Sequence, residues 1–160
     1  MEIFTVSLFG HRKLNDIPRI ERELEKIVCS LLLSKEYIEF LVGRSGEFDI
    51  LAASVIRRCQ RKIRDDNSSL ILILPYSSAD FLRNEDFFLK YYDEIEICPV
   101  SSDVHFKAAY QARNRYMAER SNFVIFYVCN SSGGAYQTLK YAEKLSVDYI
   151  NLGKKDGELQ

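Results

Sequence analysis

Leu70-Ile71-Leu72-Ile73-Leu74, closed by Pro75, is an unbroken apolar run. A strand with one wet face alternates apolar and polar residues. A run without alternation belongs to a strand buried on both faces, as in a parallel sheet between layers of helices. Upstream, Ile3 to Phe9 reads as a strand ending at Gly10, and Tyr37 to Val42 as another ending at Gly43. Between them Ile17, Ile20, Leu24, Ile27, Val28 and Leu31 recur at helical spacing, with Pro18 in the first turn, where its missing N–H costs little. Phe48, Leu51, Ala52, Val55, Ile56, Cys59 and Ile63 form a second apolar stripe.

Downstream, Ser77 to Asp93 is aromatic and acidic and reads as a short helix plus loop, and Glu94 to Val100 as a short strand. A helix is expected from Asp103 to Arg120, with Phe106, Ala109, Tyr110, Arg113 and Met117 on one stripe. Asn122 to Cys129 reads as a strand, Ala135 to Leu145 as a helix, and Tyr149 to Leu152 as a last strand. Strands alternating with helices imply an α/β, three-layer Rossmann-like domain with a mostly parallel sheet and helices on both faces. One domain is expected over residues 1–153, with a polar tail at 154–160.

The chain has 160 residues, 47% hydrophobic and 28% charged, which excludes a disordered or fibrous class. Lys+Arg number 22 against 23 Asp+Glu, a net charge of −1, which argues against gripping duplex DNA through many phosphates. Arg57, Arg58, Arg61, Lys62 and Arg64 fall at a helix C-terminus and read as a solvated, dipole-matched face. Cys29, Cys59, Cys98 and Cys129 form no C-x-x-C pair and have no neighbouring His, so no metal is expected. Cys29, Cys59 and Cys129 sit in apolar registers and read as core thiols of a reducing compartment. With no basic leader and no apolar stretch of the ~18 residues a span needs, the expectation is cytoplasmic, without a membrane partner. His105 reads as a surface histidine near a helix start.

In parallel sheets ligands bind beyond the carboxyl ends of the strands. Three such ends carry glycine: Gly10-His11-Arg12, Gly43-Arg44-Ser45-Gly46-Glu47-Phe48-Asp49, and Ser131-Ser132-Gly133-Gly134-Ala135. Glycine lets backbone N–H groups approach a ligand, and the helix N-termini that follow favour anions. Neither G-x-x-x-x-G-K-[ST] nor G-x-G-x-x-G is present, so neither a P-loop nor the usual dinucleotide fingerprint applies. Glu47 and Asp49 open a helix, where acids complement its dipole. Either could instead hold a ribose hydroxyl or serve as the carboxylate of glycosidic cleavage.

These motifs, in this order, resemble the YpsA-like proteins of the SLOG superfamily, named for the Smf/DprA DNA-processing proteins and the LOG hydrolases. Leu8-Phe9-Gly10-His11-Arg12 is similar to their first loop and Gly43 to Asp49 to their second. Arg113-Asn114-Arg115-Tyr116-Met117, with the strand from Asn122 into Gly133-Gly134, is similar to the third region. The resemblance covers nearly the whole chain. It implies a Rossmann-like sheet that binds nucleotides or their derivatives, such as a nucleoside monophosphate, ADP-ribose or an NAD derivative.

LOG enzymes hydrolyse the N-glycosidic bond of nucleoside 5′-monophosphates, and the Arg113/Met117 spacing is similar to theirs, making Arg113 the implied phosphate or catalytic arginine. Ser132 stands where they have proline and Lys140 where they have glutamate, so binding ranks ahead of hydrolysis. In the binding reading Gly10, Gly133 and Gly134 admit a phosphate, Arg12, Arg44 and Arg113 neutralise it, and Ser45, Ser132 and Thr138 supply hydroxyls. His11, Gly43, Gly46 and Asn114 complete the candidate ligand set.

The expected partner is therefore a small nucleotide-derived ligand, with no separate cofactor. In the hydrolase alternative Glu47, Asp49 and Arg113 are the catalytic candidates. A third reading is a partner module built on the aromatics at 76–92, with a homodimer as one form. Single-stranded DNA ranks behind these for want of a basic groove.

Overall fold

The computed structural model describes residues 1–99 and 105–153. They contain strands β1 (Ile3–Gly10), β2 (Tyr37–Val42), β3 (Ser68–Leu74), β4 (Glu94–Ile97), β5 (Phe123–Tyr127) and β6 (Asp148–Asn151). The helices are α1 (Ile17–Ser34), α2 (Glu47–Lys62), α3 (Ala79–Arg83), α4 (Glu85–Tyr91), α5 (Phe106–Arg120) and α6 (Gly134–Leu145). The six strands form one sheet in the order β4-β3-β2-β1-β5-β6, and every pairing is parallel. This is the α/β Rossmann-like arrangement.

Side-chain alternation sorts the strands onto two cores. Val6 and Leu8, Phe40 and Val42, and Leu70, Leu72 and Leu74 pack with the buried stripes of α1 and α2. Phe9, Leu41, Ile71, Ile73, Val124 and Phe126 pack on the opposite face with Met117 of α5 and Leu139 and Ala142 of α6. The apolar run at 70–74 therefore supplies both cores, which is why it lacks polar residues.

The chain walks outward from β1 to β4, then α5 carries it back across the sheet to β5 on the other side of β1. That reversal leaves a crevice beyond the carboxyl ends of β1 and β5, the place where open parallel sheets hold ligands.

The expected element boundaries shift at several points. Ser77 to Asp93 holds two short helices, α3 and α4. Phe88 and Tyr92 are buried and Phe81 packs against the same core, while Leu82, Phe87 and Leu89 are exposed. β5 ends at Tyr127 and not at Cys129, where the Val128 amide donates to the side-chain Oδ1 of Asn151 at 2.9 Å instead of to a backbone carbonyl. Cys129, expected in the core, is consequently exposed, and Cys98 is buried. The expected end of the fourth strand at Val100, the helix start at Asp103 and the polar tail at 154–160 lie outside the described residues.

Candidate functional site

A cleft of about 280 Å³ opens beyond the carboxyl ends of β1, β2 and β5, between the starts of α2 and α6 and one face of α5. Ten of the sequence candidates line it: Gly10, His11, Arg12, Gly43, Ser45, Asp49, Arg113, Asn114, Gly133 and Gly134. They arrive from four stretches of the chain, 10–12, 43–49, 113–114 and 133–134, so the grouping is a product of the topology.

Arg113 is the floor. It is 4% exposed, at a position of α5 that would otherwise complete the Ala109–Met117 stripe. Its Nη1 donates to the carbonyl of Ile73 at 3.2 Å and its Nε to Asn114 Oδ1 at 3.1 Å, while the ring of Tyr110 lies 5.3 Å from the guanidinium. Nη2 makes no hydrogen bond among the described residues. Burial lowers the guanidinium's pKa from its ordinary value, and the Asp49 carboxylate partly offsets that. The group nevertheless remains a cation, since arginine does not deprotonate in proteins.

Gly43 exists for this arginine: a Cβ there would stand 2.5 Å from Arg113 Nη1.

Asp49 faces Arg113 from the first turn of α2. Its Oδ2 accepts from the Ser45 amide at 2.8 Å and from the Ser45 hydroxyl at 3.1 Å. Burial raises its pKa, and the Arg113 charge and the Ser45 bonds oppose the rise. The acid therefore shapes the 43–46 loop and carries a charge that is easier to neutralise than an exposed carboxylate's.

The α6 side is built differently. Gly133 has φ +96°, a conformation disfavoured for L side chains, and no atom lies within 4 Å of where its Cβ would stand. The helix's own bonds begin with the Gln137 amide donating to Gly133 O. The first-turn amides of Gly134, Ala135 and Tyr136 donate to nothing among the described residues, and the positive end of the helix dipole lies behind them.

His11, itself in the cleft lining, fixes this loop. Its Nε2 accepts from the amides of Cys129 at 3.0 Å and Asn130 at 3.3 Å, which places the ring proton on Nδ1. Burial lowers the histidine's pKa, so the neutral form that can accept these bonds is favoured.

The remaining candidates stand elsewhere. Arg44 leaves the rim: its Nη1 donates to the Tyr92 hydroxyl at 3.0 Å and its guanidinium lies 4.9 Å from the Phe88 ring. Glu47 accepts from the Leu14 amide at 2.8 Å and tacks the β1–α1 loop to α2. Gly46 lets that loop pass, since a Cβ there would lie 2.5 Å from Arg12 Cα. Thr138 donates to Gly134 O inside α6, and Ser132 is exposed outside the cleft lining. Gly10 lines the cleft, but its missing Cβ makes room for Phe48, whose Cγ would be 2.3 Å away.

Tyr110 lines the cleft although the sequence placed it only in the stripe of α5. Its position three residues before Arg113, on one helical face, was the available signal.

Away from the cleft, His105 caps α5 by accepting from the Lys107 amide. The basic run is largely neutralised at the far end of α2: Arg57 pairs with Asp93, Arg58 with Glu21 and Glu25, Lys62 with Glu25, and Arg64 with Asp66. No group of residues suited to a metal occurs among the described residues, and none of their helices is long and apolar enough to cross a membrane.

No protein-family model and no curated protein matches the sequence. Solved structures match the fold, among them two of DNA processing protein A. DNA processing protein A (DprA) from Streptococcus pneumoniae aligns with TM-score 0.66 and 15% identity, over 98% of this chain and 52% of that one. DprA from Helicobacter pylori, in a structure described as giving insights into its unique single-stranded DNA binding mode, aligns with TM-score 0.68 and 16% identity. That match covers 97% of this chain and 67% of that one. The chain thus spans about half to two thirds of their length.

The expectation of a small nucleotide-derived ligand as the partner, with single-stranded DNA ranked behind it, is corrected here. The Helicobacter protein, which shares the fold, binds single-stranded DNA. That finding does not bear on duplex DNA. The chain has the Rossmann-like α/β fold of the DprA structures.

Proposed function

We propose that the protein binds single-stranded nucleic acid, seating one backbone phosphate in the cleft between the α6 N-terminus, Arg113 and Arg12. The observation that carries this reading is a buried guanidinium whose Nη2 is unbonded among the described residues, lining one cleft with the open amides of a glycine-started helix. Converging N–H donors, a helix dipole and a fixed cation are what a phosphate requires. The fold shared with a single-strand binder supports the choice of ligand class.

The shape favours a strand over a duplex. A cleft of about 280 Å³ admits a phosphodiester and a neighbouring sugar or base but not a double helix. The basic run at 57–64 lies away from the cleft, and four of its five cations are ion-paired. Asp49 opposes the anion only so far as it is ionised. The narrower YpsA-like affiliation rests on the order of the three loop motifs and belongs to this proposal.

Fluorescence anisotropy with a labelled oligothymidylate of about 20 nucleotides and a duplex of equal length tests the reading. The single strand is expected to bind at least ~10-fold tighter, with affinity falling as salt rises. Arg12→Gln, at an exposed position, should weaken binding and lower the salt slope by about 0.7. Equal binding to duplex, or binding indifferent to Arg12→Gln, would overturn it.

A further inference from the structure

We propose that Cys29 and Cys59 form a peroxide-oxidisable pair that closes into a disulfide between α1 and α2. The two sulfurs lie 3.2 Å apart on neighbouring helices, both as free thiols. A disulfide needs them at about 2.05 Å, so the sulfurs must approach by about 1 Å. The helix register that brings them together is pinned beside them: Arg58 bridges Glu21 at 2.8 Å and Glu25 at 2.7 Å, and Lys62 reaches Glu25 at 3.5 Å. Neither thiol has a part in the cleft.

The roles follow from access. Cys29 is partly exposed and Cys59 is fully buried. The Cys29 thiolate attacks one oxygen of hydrogen peroxide, the O–O bond breaks, and hydroxide leaves with the thiol's proton as water. The resulting sulfenic acid on Cys29 is then attacked by Cys59 sulfur. The S–S bond forms, the S–O bond breaks, and a second water leaves with the Cys59 proton. Two thiols lose two electrons in all, and one peroxide is reduced to two waters.

Burial, with the Cys29 contact adding to it, pushes the Cys59 thiol up to about 12, so the second step is slow and contact with its partner must compensate. This describes a lock that sets under sustained oxidation. The bond would close a loop of about 30 residues, which limits the freedom of the unfolded chain and should raise Tm by several degrees.

The test treats folded wild-type protein with hydrogen peroxide, quenches in acid, denatures, alkylates and measures intact mass. The expected result is loss of two alkylatable thiols and of two hydrogens, with a Cys29–Cys59 linked peptide after digestion. A thiol reductant should reverse all of it. Cys98→Ser with Cys129→Ser should leave the bond unchanged, and Cys29→Ser alone should abolish it. Oxidation confined to Cys129, with Cys29 and Cys59 both still alkylated, would overturn the proposal. So would linkage of Cys129 between molecules in place of the Cys29–Cys59 peptide.

Discussion

The loop after β2 and the loop after β5 look alike in sequence, each with two glycines and at least one serine at a helix start, and they do opposite things. In Gly43-Arg44-Ser45-Gly46 the polar groups are consumed locally. Asp49 takes the Ser45 amide and hydroxyl, Arg12 O takes the Glu47 amide at 2.8 Å, and both glycines are spaces for a neighbour, Arg113 in one case and Arg12 in the other. In Ser131-Ser132-Gly133-Gly134 the glycines displace nothing close, and the helix that follows begins with open amides. A glycine-rich rim is therefore two devices. One side is a closed wall that positions a charge, and the other is an open donor set.

The sharpest way to break this contrast is at the charge itself. Arg113→Ala should weaken single-strand binding by about 30- to 100-fold, the loss of charge-assisted hydrogen bonds. It should also lower stability by about 1–3 kcal/mol, because the site loses buried volume and the Ile73 carbonyl loses a donor. Anisotropy and urea unfolding separate the two effects.

Gly43→Ala tests the wall. Its Cβ would collide with the guanidinium, so binding should fall about 10-fold, with an overpacking cost of about 1–3 kcal/mol.

The open side is tested by a matched pair. Gly133→Ala must hold φ +96° and should cost about 1–2 kcal/mol and several-fold in affinity, whereas Gly134→Ala, in a helical position with only Asn114 Nδ2 at 4.0 Å, should be neutral or slightly stabilising. Thermal melts of both, beside anisotropy, check it.

Asp49 gives the smallest effect and a signed one. Burial raises its folded pKa, so keeping it protonated stabilises the fold below the ordinary carboxyl value near 4, and that contribution is lost as pH rises through the raised value. Relative to wild type, Asp49→Asn should therefore gain stability on going from about pH 4 to pH 7. It should also bind the strand slightly tighter at neutral pH, having one less negative charge in the cleft. Urea midpoints across that range decide it; a difference independent of pH would contradict the burial argument.

The sequence was most legible where one physical demand acts alone. The run at 70–74 and the stripe of α2 had to be buried, and their spacing says so. The rim was legible as a location, since strand ends carrying glycine mark the crevice. The fate of each side chain there was not. Arg44 and Arg12 are both loop arginines, yet Arg44 turns to Tyr92 and Phe88, a tertiary choice made by α4 packing 40 or more residues away. Glu47 and Asp49 are both first-turn acids, and a helical step of two residues sends one to the β1–α1 loop and the other into the cleft. A missing basic groove places single-stranded DNA last among the ligands, yet a single well-built phosphate seat needs no groove.

Amide chemical shifts followed by NMR during titration with a short oligothymidylate test the central claim most directly. The expected result is large shifts at Gly133, Gly134 and Ala135, with the Arg113 side chain responding in step and the 57–64 face unmoved. Shifts centred on the C-terminal end of α2, with the α6 amides silent, would contradict it.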